Sequence, residues 1–319
     1  MKKIITAILV LVCVTAFLPA AFAGDTENSQ PWFQPTFRVG VAFDPDPARY
    51  EFSRSSNFLG YSDVDLDLEG VARPYFALEL PFSLTDRIKV SLKGDWSFTS
   101  SDGLDVSSHY TNSAGGNVMY RTYETDDIAH WVSLELLGSY AFVKDVSFVK
   151  DVSLVAGVHW DYFSMDLDNP EGSLITVNTD WSRFRMQTLA PLFGFSGTFN
   201  GFKKGVWGGD MHISALAGPI LWGHEKYKER INNVNTLVYK GDNTRGYILK
   251  FFGDVTILSG KITPTVEGSV ALFAQFTKTD VNGDVKCKDL SQPLVNARHF
   301  DFDGGGTAGV IGLSGAISF

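Results

Sequence analysis

The chain has 319 residues and carries 36 acidic against 27 basic side chains, a formal net charge of −9. This negative balance argues against nucleic acid as a partner, because the phosphate backbone calls for a basic surface. The two cysteines, Cys13 and Cys287, form no CxxC pair, and no HExxH motif is present. Since these are the stronger sequence signals for a bound metal, we expect neither a metal nor a cofactor.

The first residues have the pattern of a secretory signal peptide. The basic start Met1-Lys2-Lys3 is followed by an apolar run to about Leu18 and by the small-residue site Ala21-Phe22-Ala23. A membrane anchor helix is the alternative, but the run is shorter than the roughly 20 apolar residues that a spanning helix needs. We predict cleavage of residues 1–23. Residues 24–319 then form one domain that has lost Lys2 and Lys3, so its net charge is −11, and its only cysteine is Cys287.

Residues 64–80 alternate between apolar and charged side chains with a period of two. The apolar side chains share one parity: Leu66, Leu68, Ala72, Phe76, Leu78 and Leu80. The charged side chains share the other: Asp65, Asp67, Glu69, Arg73 and Glu79. Such a period predicts a β-strand with one apolar and one charged face.

The same alternation predicts ten strands along the chain. They lie near 36–43, 64–80, 88–98, 128–142, 152–164, 182–199, 206–222, 247–258 and 262–276, and the last ends at Phe319. Short connections near 81–86, 144, 200–204 and 259–261 alternate with long ones near 44–63, 99–127, 165–181, 223–246 and 278–300. Short turns on one side and long loops on the other are typical of outer-membrane barrels.

Three features favour a membrane barrel over a soluble one such as a lipocalin, which would turn its apolar face inward. Several predicted strands exceed the usual five or six residues and reach the 9–11 that a membrane strand needs. The charged face carries too many unlike charges for a dry ligand cavity. Aromatic residues lie near strand ends, as expected of interface girdles: Trp131, Trp160, Trp181, Trp207, Trp222 and Tyr247.

The predicted fold is therefore all-β: a transmembrane antiparallel up-and-down β-barrel of about ten strands, with short periplasmic turns and five long extracellular loops. An even strand count puts both chain ends in the periplasm. The predicted location is the bacterial outer membrane.

The charged face of the strands predicts a polar network in the lumen. Its candidate members are Asp65, Asp67, Glu69, Lys89, Lys93, His159, Asp161, Asp210 and His212. His159 with Asp161, and Asp210 with His212, have the spacing that places two side chains on one face; ion pairing inside the barrel is favoured over a proton relay or a catalytic pair.

The carboxylates of Asp63, Asp65, Asp67 and Glu69 form a ladder that repels itself unless cations lie opposite. Arg38, Lys89 and Lys93 are the predicted partners. A salt-bridged interior is favoured over a calcium site for this ladder.

The closing residues 310–319, which alternate and end in Phe319, resemble the last strand of bacterial outer-membrane proteins. This resemblance implies the barrel-assembly machinery as a partner, besides outer-membrane lipid including lipopolysaccharide. The whole predicted barrel resembles the omptins, a family of outer-membrane proteases, in its length, its ten strands and its five outer loops.

The omptin resemblance implies a site in which an Asp-x-Asp pair and an Asp-x-His pair activate a water. Here the second outer loop offers Asp102-Gly103-Leu104-Asp105, with a wider spacing, and the fourth offers Trp222-Gly223-His224-Glu225, with Trp222 at the aspartate position. The candidates for a protease are therefore His224, Glu225, Asp102 and Asp105. Because the acid motifs depart from the family pattern, we favour a barrel of structural, adhesive or small-solute role without catalysis over an omptin-like endopeptidase with an altered active site.

Overall fold

The computed structural model of the chain describes residues 33–53, 63–70, 72–99, 104–111, 117–124, 129–171, 179–231, 235–263, 266–290 and 298–318. For 63–70, 104–111 and 117–124 it describes the path of the backbone alone. The predicted signal peptide 1–23, Asp102 and Phe319 lie outside these ranges. Within the described ranges, no helix has the length and apolar character needed to cross a membrane.

The described residues form seventeen strands, β1 to β17, all joined in one antiparallel sheet. In chain order they are Thr36–Ser53, Asp63–Gly70, Arg73–Ser83, Ile88–Thr99, Leu104–Thr111, Asn117–Glu124, Ala129–Val146, Val149–Glu171, Thr179–Phe199, Lys203–Lys204, Trp207–Gly208, Met211–Ile220, Trp222–Ile231, Asn235–Gly241, Arg245–Thr263, Val266–Asp289 and Arg298–Ser318.

These strands make ten walls of a closed barrel. Five walls consist of one strand, and five consist of a strand and its direct continuation; for example, β12 and β13 both pair with β9. The walls in chain order are β1, β2 with β3, β4 with β5, β6 with β7, β8, β9, β12 with β13, β14 with β15, β16, and β17. The ring closes where β1 pairs with β17, from Thr36 opposite Ala316 to Ser53 opposite Asp301. The predicted ten-stranded barrel is therefore confirmed.

The two ends of the barrel differ in their connections. Residues 84–87 and 147–148 make tight turns at the end where β1 begins and β17 ends. At the same end, β10 and β11 form a small hairpin within residues 200–210, where the prediction had one short turn. Gly205 and Gly208 adopt φ angles of 63° and 81°, a left-handed conformation that glycine reaches without steric cost, so they allow this hairpin.

A band of apolar side chains covers the outside of the barrel next to that end. On β17, Ile311, Leu313 and Ile317 are 43–53% exposed, while Val310 and Ser314 face inward and are buried. Trp222 and Tyr247 are exposed at the far edge of this lipid-facing band, as the girdle prediction expected. Trp131 was wrongly assigned to a girdle: it faces the lumen, where the Arg73 guanidinium lies 4.1 Å from its ring centroid.

Beyond the lipid-facing band, the polarity of the wall reverses. On β16 the even-numbered residues face outward, and they change from Leu272 and Phe276 to Lys286 and Lys288. The odd-numbered residues face inward, and beyond the band they become apolar. The inward Val281, Val285 and Cys287 are at most 1% exposed. Much of what the sequence suggested as long loops is therefore strand, because the walls continue into the aqueous phase as a barrel with an apolar interior.

Among the described side chains, eight aromatic ones fill this outer extension, and we call them the aromatic plug: Tyr50, Phe52, Phe163, Phe184, Tyr227, Tyr239, Phe300 and Phe302. The ring of Phe52 on β1 lies 5.6 Å from that of Tyr227 on β13, and Tyr50 lies 4.7 Å from Phe184 on β9. Since β1 and β9 are the first and sixth of ten walls, these contacts span the lumen. They close it at this level.

Candidate functional site

A cluster of charged and polar side chains crosses the lumen below the aromatic plug. We call it the lumen network: Lys93, Glu135, His159, Asp161, Lys250 and Gln275. Lys250 on β15 forms an ion pair with Glu135 on β7, and Lys93 Nζ on β4 donates to Gln275 Oε1 on β16 at 2.7 Å. Both contacts join walls that are not neighbours, so the network bridges the barrel.

His159 lies within the lumen network with both ring nitrogens near carboxylates. Its Nε2 is 2.5 Å from Asp161 Oδ2 and its Nδ1 is 2.9 Å from Glu135 Oε1. The side chain of His159 is 1% exposed, and buried charges of this kind are stable only when opposite charges satisfy them. His159 therefore links β8 to β7, and Lys250, which also pairs with Glu135, joins β15 to them.

Other residues predicted for the lumen lie elsewhere along the barrel. Lys89 and His212 line the lumen nearer the short-turn end, and Asp210 pairs with Lys150 at 2.5 Å near that opening. Asp65, Asp67 and Glu69 lie on β2 in the outer extension, where only the backbone is described.

The predicted pairing of Arg38 with the carboxylate ladder is wrong. Arg38 lies opposite Ala77, whereas Asp65 lies opposite Glu51, thirteen positions further along β1. Strands rise about 3.3 Å per residue, so the separation exceeds any side chain's reach. Arg38 pairs with Glu79 at 2.7 Å instead.

The protease candidates His224 and Glu225 lie just beyond Trp222 on β13, and they face opposite sides of the wall. His224 faces outward, and its Nδ1 lies 2.6 Å from Oδ1 of Asp242, which is 63% exposed. Slight burial acts to raise the pKa of Asp242, but hydrogen bonds from His224 and Lys240 and their charges bring it below its ordinary value. Asp242 was missed from sequence because it follows β14 and reaches His224 only through strand pairing.

Glu225 faces inward and is fully buried. Its Oε2 accepts a hydrogen bond from the Thr244 hydroxyl, and its Oε1 has no partner among the described residues. Burial raises the pKa of Glu225 to about 8, although a hydrogen bond from its own backbone opposes the rise. A carboxyl group that is protonated at neutral pH is a poor partner for a water-activating histidine, and it points away from His224.

The remaining protease candidates provide no side chain to complete a site. Asp105 lies on β5 opposite Glu69, with only its backbone described, and Asp102 lies outside the described ranges. In the part of the chain that is described, no three or more histidine, cysteine, aspartate or glutamate side chains are arranged to hold a metal ion.

A grid of cations covers the outside of the extension above the lipid-facing band, and we call it the basic grid: Arg183, Arg185, Lys226, Lys228, Lys240, Lys286 and Lys288. In one row across four walls, Lys226 lies opposite both Arg185 and Lys240, and Lys240 lies opposite Lys286. Directly opposed like charges are destabilising. Burial lowers the pKa of Lys226, and the charges of Lys228 and Lys240 lower it further.

Within the basic grid, few carboxylates offset these charges. Asp166 pairs with Arg183, and Asp242 lies 3.6 Å from Lys240 while it also binds His224. The grid is a surface where cations outnumber their partners among the described side chains.

The closed ring, the apolar outer band and the polar lumen define the class: this chain has the fold of an outer-membrane β-barrel, omptin-like in layout. No family model and no curated protein matches the sequence. Among solved structures, the chain is similar to the outer membrane protease OmpT from Escherichia coli, with a TM-score of 0.66 and 10% identity over 92% of this chain and 99% of that one. The translocator domain of the autotransporter NalP from Neisseria meningitidis also matches, with a TM-score of 0.38 and 8% identity over 100% of this chain and 97% of that one.

Proposed function

We propose that this protein is a closed barrel of the bacterial outer membrane with a structural or adhesive role at the cell surface, exported by a signal peptide at residues 1–23. One observation carries the proposal: the aromatic plug closes the extension from wall to wall. A small-solute channel, the third role that the sequence left open, would need a polar path through this level.

The energy of the plug supports a permanently closed state. Burying one large aromatic side chain contributes about 1.5–3 kcal/mol, and close ring pairs add about 0.5–1.5 kcal/mol each. Phe52 alone contacts Tyr227, Tyr239 and Phe302, at 5.6, 5.3 and 5.2 Å between ring centroids. Opening a path would break several such contacts at once, which favours the closed state.

Conductance tests this proposal directly. The purified barrel in planar lipid bilayers is expected to give no single-channel steps, while a wide porin reconstituted in parallel reports that the bilayer detects open barrels. Reproducible steps from the wild-type barrel, absent from preparations of unfolded protein, would overturn the closed-barrel proposal.

We propose lipopolysaccharide as the lipid partner of the outer wall. Lys226 lies four residues beyond Trp222 on the outer face of β13, which is roughly 13 Å along the strand. At that height the basic grid meets the headgroup layer, where phosphate groups supply the negative charge that the row of opposed cations requires.

Paired charge removals test the lipid proposal. A Lys226→Gln, Lys228→Gln double variant is expected to retain severalfold less lipopolysaccharide through gel filtration in detergent, measured as phosphate per barrel. The matched control is Lys203→Gln with Lys204→Gln, which removes two exposed charges from the hairpin at the other end. Equal retention by the two double variants would refute the role of the grid.

An omptin-like endopeptidase is the second candidate, and the hydrogen bond between His224 and Asp242 is the observation that favours it. A histidine oriented by a carboxylate is one half of a water-activating site. We rank it second because this pair faces outward and the described side chains offer no second carboxylate pair opposite it. Peptide cleavage by the purified barrel separates the two candidates.

A further inference from the structure

The lumen below the lumen network is a cavity of about 250 Å³, which we call the periplasmic vestibule. Its wall includes Pro81, Lys89 and Thr198, which lie within a few residues of the short-turn end of their strands. The lumen network closes it on the opposite side. The vestibule is therefore reached from the end where both described chain termini lie.

Arg38 is a buried cation in the wall of the vestibule. The residue is 5% exposed, and its Nη2 lies 2.7 Å from Glu79 Oε2. Its Nε and Nη1 have no hydrogen-bond partner among the described residues. The guanidinium carbon lies 4.9 Å from the ring centroid of Phe252, which holds the group in place. Buried charged donors without acceptors are costly, so an acceptor that reaches these two nitrogens from the vestibule is favoured.

The remaining wall is also suited to an anion. Four permanent cations line it (Arg38, Lys89, Lys93 and Lys250), together with three carboxylates (Glu79, Glu135 and Asp151). Arg38 is paired with Glu79, Lys250 with Glu135, and Lys93 lies 3.6 Å from Asp95. Lys89 is thus the lining lysine that forms no ion pair among the described residues. Serine hydroxyls complete the lining, among them Ser91, Ser153, Ser196 and Ser214. Hydroxyl groups donate hydrogen bonds readily to anionic oxygens.

We propose that the periplasmic vestibule binds a small oxyanion, a carboxylate or a phosphate, held by Arg38 and Lys89. The described residues offer no group of three or more side chains that could hold a metal ion, and the charged, hydroxyl-rich wall disfavours an apolar ligand. The volume lies below the roughly 300–1,000 Å³ of pockets for drug-sized ligands, which limits the guest to a few heavy atoms around the anionic group. The site is separated from the basic grid by the lumen network and the aromatic plug, and it does not depend on the proposed surface role.

Calorimetric titration of the folded barrel in zwitterionic detergent tests the site, with inorganic phosphate in one arm and succinate in the other. We expect saturable binding of at least one of them, and the stronger arm identifies the oxyanion class. Arg38→Gln and Lys89→Gln are each expected to weaken that binding by roughly tenfold or more, because a charge-assisted hydrogen bond is lost. If Arg38→Gln fails to fold, Lys89→Gln carries the test, since Lys89 forms no ion pair in the described part of the chain.

Two control variants locate the binding. Lys203→Gln removes one charge at the same end of the barrel but outside the vestibule, and Lys226→Gln with Lys228→Gln removes charge from the basic grid. Both are expected to bind the oxyanion as the wild type does. No saturable binding in either arm, or an equal loss in a control variant, would overturn the vestibule site.

Discussion

Replacing Glu225 by glutamine is expected to remove a pH-dependent loss of stability from the barrel. The carboxyl is fully buried above the lipid-facing band, and burial raises its pKa from 4.5 to about 8. Between these values the unfolded chain releases the proton while the folded chain keeps it. The free energy of unfolding of the wild type therefore falls as the pH rises from about 4.5 to about 8, and it is constant above that.

The size of this effect follows from the shift. One pKa unit corresponds to about 1.36 kcal/mol, so the wild type loses about 3 kcal/mol between pH 5.5 and 8 through this group. Glu225→Gln keeps an acceptor for the Thr244 hydroxyl and has no proton to release, so it lacks that loss and is the more stable protein at pH 8.

Equilibrium unfolding in guanidinium, with the barrel in phospholipid vesicles and tryptophan fluorescence as the signal, measures both proteins at pH 5.5 and 8. The difference between wild type and variant cancels the titration of all other groups. Glu267→Gln is the matched control, because it makes the same change at an exposed carboxyl on β16. If the difference for Glu225→Gln is constant across this range, Glu225 is ionised in the fold and the reasoning from burial fails.

Three further predictions concern activity, orientation and assembly. The lipid-reconstituted barrel is expected to leave dibasic peptides uncut. If peptides are cut, and His224→Ala abolishes the cleavage while the fold is retained, the protein is an endopeptidase. If His212→Ala abolishes the cleavage instead, the catalytic site lies inside the lumen. Protease added to intact cells is expected to cut within the five outer connections only, so a cut at 200–204 would reverse the orientation. Deleting Phe319 is expected to lower the amount of folded protein in the outer membrane, and a normal amount, quantified by heat-modifiable migration on gels, would contradict its role in assembly.

The alternation along the chain was sufficient to predict the walls of the barrel. In a strand that separates lipid from a polar lumen, apolar residues face the lipid and polar residues face the lumen at alternate positions. The sequence around each residue therefore predicts which side it faces, as it does for Leu272, Phe276, Ile311 and Leu313. The same local rule could not predict where the strands end. Beyond the lipid-facing band, the outer face of the wall is in water and the inner face packs against other walls. The apolar side chains therefore change from the outward parity of Phe276 to the inward parity of Val281, and the alternation no longer marks the strand.

The class of fold can be predicted from the sequence, because the period of two and the alternation of short and long connections depend only on neighbours in the chain. The filling of the lumen cannot, because it depends on contacts between distant parts of the chain. Lys250 meets Glu135 across 115 positions of sequence and Tyr50 meets Phe184 across 134. Such partners are selected by the radius of the closed barrel and the register of its walls. The same is true of Arg185, Lys226, Lys240 and Lys286, which are scattered along the chain and become one row of charge only when four walls are paired.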